Sequence, residues 1–294
     1  MNIKLSLLFL CLCSEIVLCT KQSLANPCSD VDGTTEVITA DCKNLRIKGA
    51  NSNVTIDSNI TVDTLSGNAA NTSNGATNAI ITNNGKIYSP TNRTFRTNAG
   101  TVQELINNGT IEATTNSAIR SNSTITTLTN TGTIKAGDKW AIHLRPSGII
   151  TTLTNTGTIE AEQAGDAIRN QGIIETLTNT GTISGSTFGI VNSKTITTLN
   201  NSQGASSSAL TYDGKLPTNY NIIVNSTSDF GKITFSSVSG TTNFGVDSSS
   251  TLVADTTYSS VISGLSSSEI ASGTSGSHVD GSLRLDWTLI NSSG

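Results

Sequence analysis

The apolar and polar residues of this chain follow a repeat of about 24 residues. Copies of the heptapeptide Leu-Thr-Asn-Thr-Gly-Thr-Ile, intact or varied, begin at Ile81, Leu105, Leu128, Leu153, Leu177 and Leu199. Successive copies begin 24, 23, 25, 24 and 22 residues apart. In each intact copy, Leu, Asn, Gly and Ile occupy every second position, with Thr between them. This alternation is the period of a β-strand and not that of a helix.

Two further apolar columns complete each repeat. One lies about fourteen residues after the start of each copy, at Phe95, Ile119, Ile142, Ile168 and Ile190. The other lies three residues before the next copy, at Val102, Ile125, Ile150, Ile174 and Ile196. Each repeat therefore predicts about three short strands separated by Gly, Asn or Ser. Leucine-rich repeats have a similar period, but their Leu-x-Leu-x-x-Asn order differs from the Leu-x-Asn order of this chain.

Three short strands per repeat predict an all-β fold, a right-handed parallel β-helix (solenoid). One coil cannot bury its own apolar face, so coils stack at about 4.8 Å and align equivalent residues in ladders. We expect an asparagine ladder at one turn, formed by Asn83, Asn107, Asn130, Asn155, Asn179 and Asn201. Their amides can hydrogen-bond along the stack, and the Gly that follows is expected to permit the bend. The Thr columns are expected to face outward as a flat hydroxyl surface.

The N-terminus predicts export. Lys4 is followed by an apolar run over residues 5–13, which fits a secretory signal and is too short for a membrane span. Small residues at Ser23 and Ala25 place the cleavage site after Ala25. Lipidation at Cys19 is the alternative, although Leu18 replaces the small residue that normally precedes a lipidated cysteine. No other long apolar segment occurs, so we do not expect a transmembrane helix in the mature chain.

The cysteines divide between the signal and the mature chain. Cys11, Cys13 and Cys19 lie within residues 1–25, which leaves Cys28 and Cys42. An exported chain meets an oxidising compartment, where an isolated pair is most simply a disulfide. Two free thiols are the alternative.

The repeat also divides the chain into four parts. Residues 1–25 are the predicted signal peptide, and residues 26–80 are predicted to form an N-terminal cap with the first irregular coils. Residues 81–205 are the regular repeats, and residues 206–294 continue as less regular β structure. A cap is expected because the open end of a β-helix exposes unpaired strand edges.

Composition narrows the functional classes. The 294 residues include 47 Thr, 40 Ser and 30 Asn, with 13% charged and 4% aromatic residues and a net charge of −4. The absence of a basic excess argues against a nucleic acid partner. Two histidines leave little material for acid–base or metal chemistry, so we expect no cofactor and no catalysis.

The repeated heptapeptide after a signal peptide resembles the passenger domain of autotransporter (type V secreted) proteins, in particular the Campylobacter and Helicobacter adhesins. The segments 216–224, 229–235, 242–246, 258–262 and 285–290 are similar to the non-repetitive C-terminal part of those passengers. The resemblance implies that this part helps the β-helix to fold as it emerges from the outer membrane.

The same resemblance implies a partner, an outer-membrane β-barrel translocator. A family member carries this translocator as its C-terminal continuation, and the present sequence ends before one. We therefore expect a fragment, a truncated gene product or one half of a split gene.

Two surface features are candidate sites. Arg96, Arg120, His143 and Arg169 share one column, which predicts either a basic stripe for acidic glycans or lipopolysaccharide, or merely solvated side chains. Asn59 lies in an Asp-x-Asn-x-Thr segment that matches the extended bacterial N-glycosylation pattern.

Other charged positions predict no catalytic site. Glu112, Lys135 and Glu160 share a column in which opposite signs alternate, so no acidic cluster forms. His278 lies in a Ser/Gly-rich stretch and is expected in a solvated loop.

Together these features predict an exported, surface-exposed or secreted adhesin that binds a host-cell surface or a glycan without catalysis. Three alternatives remain: a polysaccharide-degrading β-helix enzyme, a structural biofilm component, and a remnant of a split autotransporter gene.

Overall fold

The described part of the chain folds as an all-β parallel solenoid of about nine turns with three sheets, which confirms the predicted fold class. The computed structural model describes residues 26–64, 66–73, 75–280 and 283–290. The predicted signal peptide and its three cysteines therefore lie outside the described residues. In the described part of the chain, the one helical element is the 3₁₀ turn Ser267–Glu269, and no helix there is long and apolar enough to cross a membrane.

Sheet I has eleven parallel strands, stacked in chain order along the solenoid axis. They are β1 (Val31–Asp32), β4 (Leu45–Lys48), β7 (Ala70–Thr72), β10 (Phe95–Thr97), β13 (Ile119–Ser121), β16 (Ile142–Leu144), β19 (Ile168–Asn170), β22 (Ile190–Asn192), β24 (Leu210–Lys215), β26 (Ile233–Ser239) and β28 (Ile262–Ser263). The apolar column that begins at Phe95 is aligned in register from β10 to β22.

Sheet II also has eleven parallel strands. They are β2 (Thr35–Ile38), β5 (Asn53–Ile56), β8 (Ala79–Asn83), β11 (Thr101–Asn107), β14 (Thr124–Asn130), β17 (Ile149–Asn155), β20 (Ile173–Asn179), β23 (Thr195–Asn201), β25 (Asn219–Ile222), β27 (Thr242–Val246) and β29 (Ile270–Ser272). The first residue of the heptapeptide and its asparagine are aligned from rung to rung in this sheet.

Sheet III is shorter, with seven strands. They are β3 (Cys42–Lys43), β6 (Thr61–Asp63), β9 (Lys86–Ser89), β12 (Thr110–Ala113), β15 (Thr133–Ala136), β18 (Thr158–Ala161) and β21 (Thr182–Gly185). An antiparallel hairpin, β30 (Ser275–Asp280) with β31 (Leu283–Thr288), follows the solenoid near its C-terminal end.

The structure divides the repeat into strands differently from the sequence interpretation. In β14, Ile125, Leu128 and Asn130 are all buried, so the column that precedes each heptapeptide lies in the same strand as its first half. The Thr-Ile half lies in sheet III, as in β15. The heptapeptide is therefore two strands joined at a corner. Its alternation conceals the corner because the inward residues stay an even number of positions apart on both sides.

The glycines at this corner are required for a reason other than the predicted one. Gly85, Gly109, Gly132, Gly157 and Gly181 do not adopt the left-handed backbone conformation that only glycine tolerates well. A Cβ atom at Gly157 would instead lie 2.1 Å from the carbonyl oxygen of Gly132 in the preceding rung. Glycine is needed because adjacent rungs approach each other closely, not because the chain must bend there.

The interior changes character where sheet III ends. Between residues 26 and 201, the buried apolar side chains that the structure describes are almost all Ile, Leu, Val and Ala, with Phe95 as the one buried side chain of the Phe, Tyr and Trp types. Beyond Asn201 the interior contains a set of aromatic side chains: Tyr212, Tyr220, Phe230, Phe235 and Phe244. In the hairpin, the Trp287 ring lies 5.6 Å from that of Phe244.

Gln203 closes the last strand of sheet III. Its Oε1 accepts a hydrogen bond from the backbone N–H of Ile183 at 2.7 Å, and its Nε2 donates to the carbonyl oxygen of Ile183 at 3.2 Å. The side-chain amide thus supplies the donor and the acceptor that a further strand would have supplied.

Candidate functional site: the cationic face of sheet I

The basic column proposed from the sequence lies on the outer side of sheet I. Arg96, Arg120, His143 and Arg169 occupy equivalent positions in β10, β13, β16 and β19, each aligned with the next. Parallel strands place such residues about 4.8 Å apart along the axis. The four side chains nevertheless differ in their surroundings.

His143 is in the column, but it is a buried and neutral ring. Its exposed fraction is 4%, its Nε2 lies 3.1 Å from the Gln171 side-chain oxygen, and the Trp140 ring is 4.2 Å away. Burial, together with the nearby arginines, lowers the pKa of His143 to about 4, although the hydrogen bond with Gln171 opposes the shift. At neutral pH this residue therefore adds no positive charge to the column.

Arg169 is compensated by a carboxylate. Its Nη1 lies 3.2 Å from the Asp166 carboxylate, and its guanidinium carbon lies 5.9 Å from the Trp140 ring centroid. Burial raises the pKa of Asp166, and the hydrogen bond from Arg169 acts against that rise. The ion pair leaves Arg169 less available to an external anion than the other arginines.

Arg96 and Arg120 belong to a larger group, which we call the arginine cluster: Arg93, Arg96, Arg120 and Arg145. Arg93 precedes β10 and Arg145 follows β16, and all four side chains are half-buried. Burial, followed by repulsion from Arg93, Arg145 and Arg96, lowers the pKa of Arg120 to about 10. Burial and repulsion from Arg96 and Arg145 also lower the pKa of Arg93.

The cluster is not neutralised. Among the described residues, no carboxylate forms an ion pair with any of its four arginines. The Nε groups of Arg93, Arg96 and Arg120 are buried and have no hydrogen-bond partner. A buried unpaired donor costs about 1–3 kcal/mol, and the like charges of neighbouring arginines repel each other. An anion bound over the cluster would offset the repulsion between these charges.

The sequence pattern missed Arg93 and Arg145. Both lie outside the repeat column. Arg93 precedes β10 and Arg145 follows β16, so neither belongs to the row of basic residues that the repeat aligns. Aligning the residues that flank each sheet I strand, and not only those within it, would have placed them beside Arg96 and Arg120.

The asparagine residues form a continuous internal ladder. Each side-chain Nδ2 donates to the Oδ1 of the next asparagine, over 2.7 Å from Asn83 to Asn107 and 2.8 Å from Asn155 to Asn179. The other three hydrogen bonds measure 2.7 Å from Asn107 to Asn130, 2.8 Å from Asn130 to Asn155 and 3.0 Å from Asn179 to Asn201. All six side chains have no exposed surface, so their role is structural.

A second asparagine contact escaped the sequence reasoning. Asn170 donates to Asn192 over 2.8 Å at the end of sheet I, where Thr97 and Ser121 make a similar 2.7 Å contact in earlier rungs. The residues at the end of the sheet I strands therefore change from Thr and Ser to Asn along the solenoid. This change makes the column harder to recognise in the sequence.

The remaining candidate residues lie apart from the cluster. Cys28 and Cys42 form a disulfide with their Cα atoms 4.9 Å apart, which ties the first described residues to β3. Asn59 is exposed at the turn between β5 and β6, with a φ of +66°.

The two further charged features have simple surroundings. Lys135 lies 2.6 Å from Glu162 and 3.6 Å from Glu160, and Glu112, Lys135 and Glu160 are aligned in sheet III, so its charges are compensated. His278 is only 5% exposed within β30, which corrects the expectation of a solvated loop. No group of three His, Cys, Asp or Glu side chains in the described part of the chain could hold a metal ion.

Comparison with known proteins adds no family to this description. The chain matches no family model, and no curated protein or solved structure is significantly similar to it.

Proposed function

We propose that the chain is an autotransporter passenger that is displayed on the cell surface or secreted, and that it acts as an adhesin without catalysis. In this proposal the adhesin binds an acidic glycan through the outer face of sheet I. An outer-membrane translocator would deliver it.

The observation that carries the proposal is the uncompensated arginine cluster on an extended face. A solenoid presents a long surface rather than a single deep pocket, and polyanionic glycans are long chains. Four guanidinium groups without an ion-pair partner among the described residues match the carboxylate, sulfate or phosphate groups of such chains. The paired charges of sheet III offer no comparable attraction.

Binding to cells that display acidic glycans tests this proposal. We expect the wild-type protein to bind such cells, and we expect Arg96→Ser with Arg120→Ser to weaken the binding severalfold. Arg169→Ser is the matched control, because Arg169 already has the Asp166 carboxylate as its partner. Binding should fall as salt is raised, since exposed charges are screened. Full binding by the double variant would exclude the cationic face as the adhesive surface.

Export is tested separately on the native protein. The intact mass and the N-terminal peptide distinguish cleavage after Ala25 from lipidation at Cys19. The same mass measurement reports whether Asn59 carries a glycan. A mature protein that retains residues 1–25 inside the cell would contradict the proposed location.

A further inference from the structure

We infer that Arg93, Arg96, Arg120 and Arg145 form a discrete site for one tetrahedral oxyanion, a sulfate or phosphate ester group, rather than part of a continuous basic stripe. This inference rests on the proposed function for its biological setting. The site itself stands on the geometry of the cluster.

The cluster is bounded on the axis of the solenoid. On one side of Arg96 the equivalent residue in β7 is Asn71, which is uncharged. On the other side of Arg120 the equivalent residue is His143, which is buried and neutral, and beyond it Arg169 is held by Asp166. The next arginine in this column is Arg46 of β4, which lies on the far side of Asn71. One uncharged rung therefore separates it from the arginine cluster.

The four arginines come from three parts of the sheet I face. Arg96 and Arg120 are directly aligned on neighbouring strands. Arg93 comes from the segment before β10, and Arg145 comes from the corner after β16, where its backbone N–H donates to the Ser121 carbonyl oxygen over 2.9 Å. Arg93 and Arg145 lie near enough to Arg120 for their charges, with that of Arg96, to lower its pKa.

The unpaired donors favour a tetrahedral oxyanion. Three Nε groups are buried without a partner, and each guanidinium carries further N–H groups in a fixed planar fork. A carboxylate offers two acceptor oxygens, whereas a sulfate or phosphate ester offers three around one centre. An acceptor with three oxygens can therefore engage donors from more than two arginines at once.

An empty binding site and a structural arginine respond oppositely to substitution. A structural arginine stabilises the fold, so its replacement lowers the melting temperature. In an empty anion site the arginines repel each other, so replacing one raises the melting temperature while binding is lost. This opposition separates the inference from a merely structural role for the cluster.

The first experiment measures thermal unfolding of the full chain at low salt, and again with sodium sulfate against sodium chloride of equal ionic strength. We expect Arg120→Gln to raise the melting temperature at low salt by a few degrees. We expect it also to reduce the additional stabilisation that sulfate gives the wild type. Sulfate stabilises proteins in general by exclusion from their surface, so the difference between wild type and variant is the relevant quantity.

Two matched variants sharpen the result. Arg120→Lys keeps the charge and the repulsion but lacks Nε and the fork, so it should lose the sulfate increment without the rise in melting temperature. Arg169→Gln should lower the melting temperature and keep the sulfate increment. An Arg120→Gln protein that is less stable than wild type and keeps the full increment would overturn the inference.

The second experiment identifies the source of the oxyanion by direct titration. The probes are a sulfated heparin-derived oligosaccharide, glucose 6-phosphate and an oligogalacturonate that carries carboxylates alone. We expect Arg96→Gln and Arg120→Gln each to weaken the preferred sulfate or phosphate probe about tenfold or more. Oligogalacturonate binding equal to that of the heparin fragment and glucose 6-phosphate would contradict a tetrahedral oxyanion site.

Failure of this inference and failure of the proposed function have different signatures. Sulfate or phosphate binding by a protein that does not adhere to cells would leave the site intact and reject the adhesin. Adhesion that survives Arg96→Gln and Arg120→Gln while oxyanion binding is lost would keep an adhesin but move its adhesive surface elsewhere.

Discussion

The solenoid has a three-sheet part, up to Asn201, and a two-sheet part that follows. The two parts fill their interiors with different side chains. In the first, three sheets enclose a narrow interior of aliphatic side chains and one asparagine ladder. In the second, sheet III is absent among the described residues and larger aromatic side chains occupy the interior. An open cavity of about 810 Å³ remains near the hairpin, lined in part by Phe244, Tyr258 and Trp287.

The difference shows what a repeat provides. When every rung places the same residue at the same corner, hydrogen bonds run along the axis and each rung completes its neighbour. Once the asparagine and glycine positions change, as they do after Asn201, that ladder has no continuation. Packing must then come from individual contacts, such as that between Tyr212 and Phe235, whose rings lie 5.3 Å apart. Substitutions should therefore have different consequences in the two parts.

The largest effect is expected in the ladder of the three-sheet part. Asn155 donates to Asn179 and to the Thr182 carbonyl oxygen, and accepts from Asn130. Asn155→Ala removes the donor of the Asn179 and Thr182 oxygens, whereas Asn130 keeps its bond to the Thr158 carbonyl oxygen. Two buried acceptors lose this donor, so we expect a loss of about 4 kcal/mol in the free energy of unfolding. Asn108→Ala is the control, because the Asn108 side chain makes a similar 2.9 Å contact on the exposed surface. Equal losses for the two variants, measured by denaturant unfolding, would contradict a buried ladder.

The next effect is expected at the boundary between the two parts. Gln203→Ala removes the amide that pairs with both backbone groups of Ile183, and it exposes the edge of β21. We expect a loss of about 3 kcal/mol and faster amide hydrogen exchange at Ile183. Gln163→Ala, on an exposed turn, should change neither quantity. Unchanged exchange at Ile183 in the Gln203 variant would mean that the side chain does not terminate sheet III.

A smaller, pH-dependent effect is expected from His143. Its folded-state pKa of about 4 lies below the ordinary value of 6.5, so the unfolded chain takes up a proton at a higher pH than the folded chain. The contribution of the neutral His143 ring to the free energy of unfolding is therefore fully present above pH 6.5. About 2 kcal/mol of it is lost as the pH falls towards 4. Unfolding measured from pH 7 to pH 4 should show this loss in the wild type and a weaker one in His143→Gln. Identical profiles would exclude a buried neutral histidine.

The smallest effects are expected from two tyrosines in the two-sheet part. The Tyr212 hydroxyl donates to the Lys215 carbonyl oxygen at 2.6 Å, whereas the buried Tyr220 hydroxyl lies near the Asn201 side chain without forming a well-aligned hydrogen bond. We expect Tyr212→Phe to cost about 1 kcal/mol and Tyr220→Phe to be neutral or stabilising. Melting temperatures of the two variants provide the comparison. A larger loss for Tyr220→Phe than for Tyr212→Phe would contradict this difference in hydrogen bonding.

Much of the solenoid followed from the sequence because stacking joins equivalent positions. The repeat aligned the column from Phe95 to Ile190 and the ladder from Asn83 to Asn201, and each appears in register between neighbouring strands. Residues that occur once per repeat can be paired without knowing the path of the chain between them. The disulfide partners could be named for a simpler reason, since Cys28 and Cys42 were the one pair outside the predicted signal.

The candidate site followed only in part. The sequence selected Arg96, Arg120, His143 and Arg169 by their shared column, but a column states only which residues are neighbours along the axis. Burial made His143 neutral, and the carboxylate that holds Arg169 comes from three residues earlier in its own rung. Neither property is encoded in the period.

The period, the three strands of each regular repeat and the residues that stack on one another can be read from the amino-acid sequence. The positions of the corners, the need for glycine there and the end of sheet III depend on the folded chain. The tertiary structure also brings Arg93 and Arg145 near Arg120, although neither shares its column. Stacking follows from local repetition along the axis. Contacts around a rung depend instead on how the corners turn the chain and on which side chains they bury.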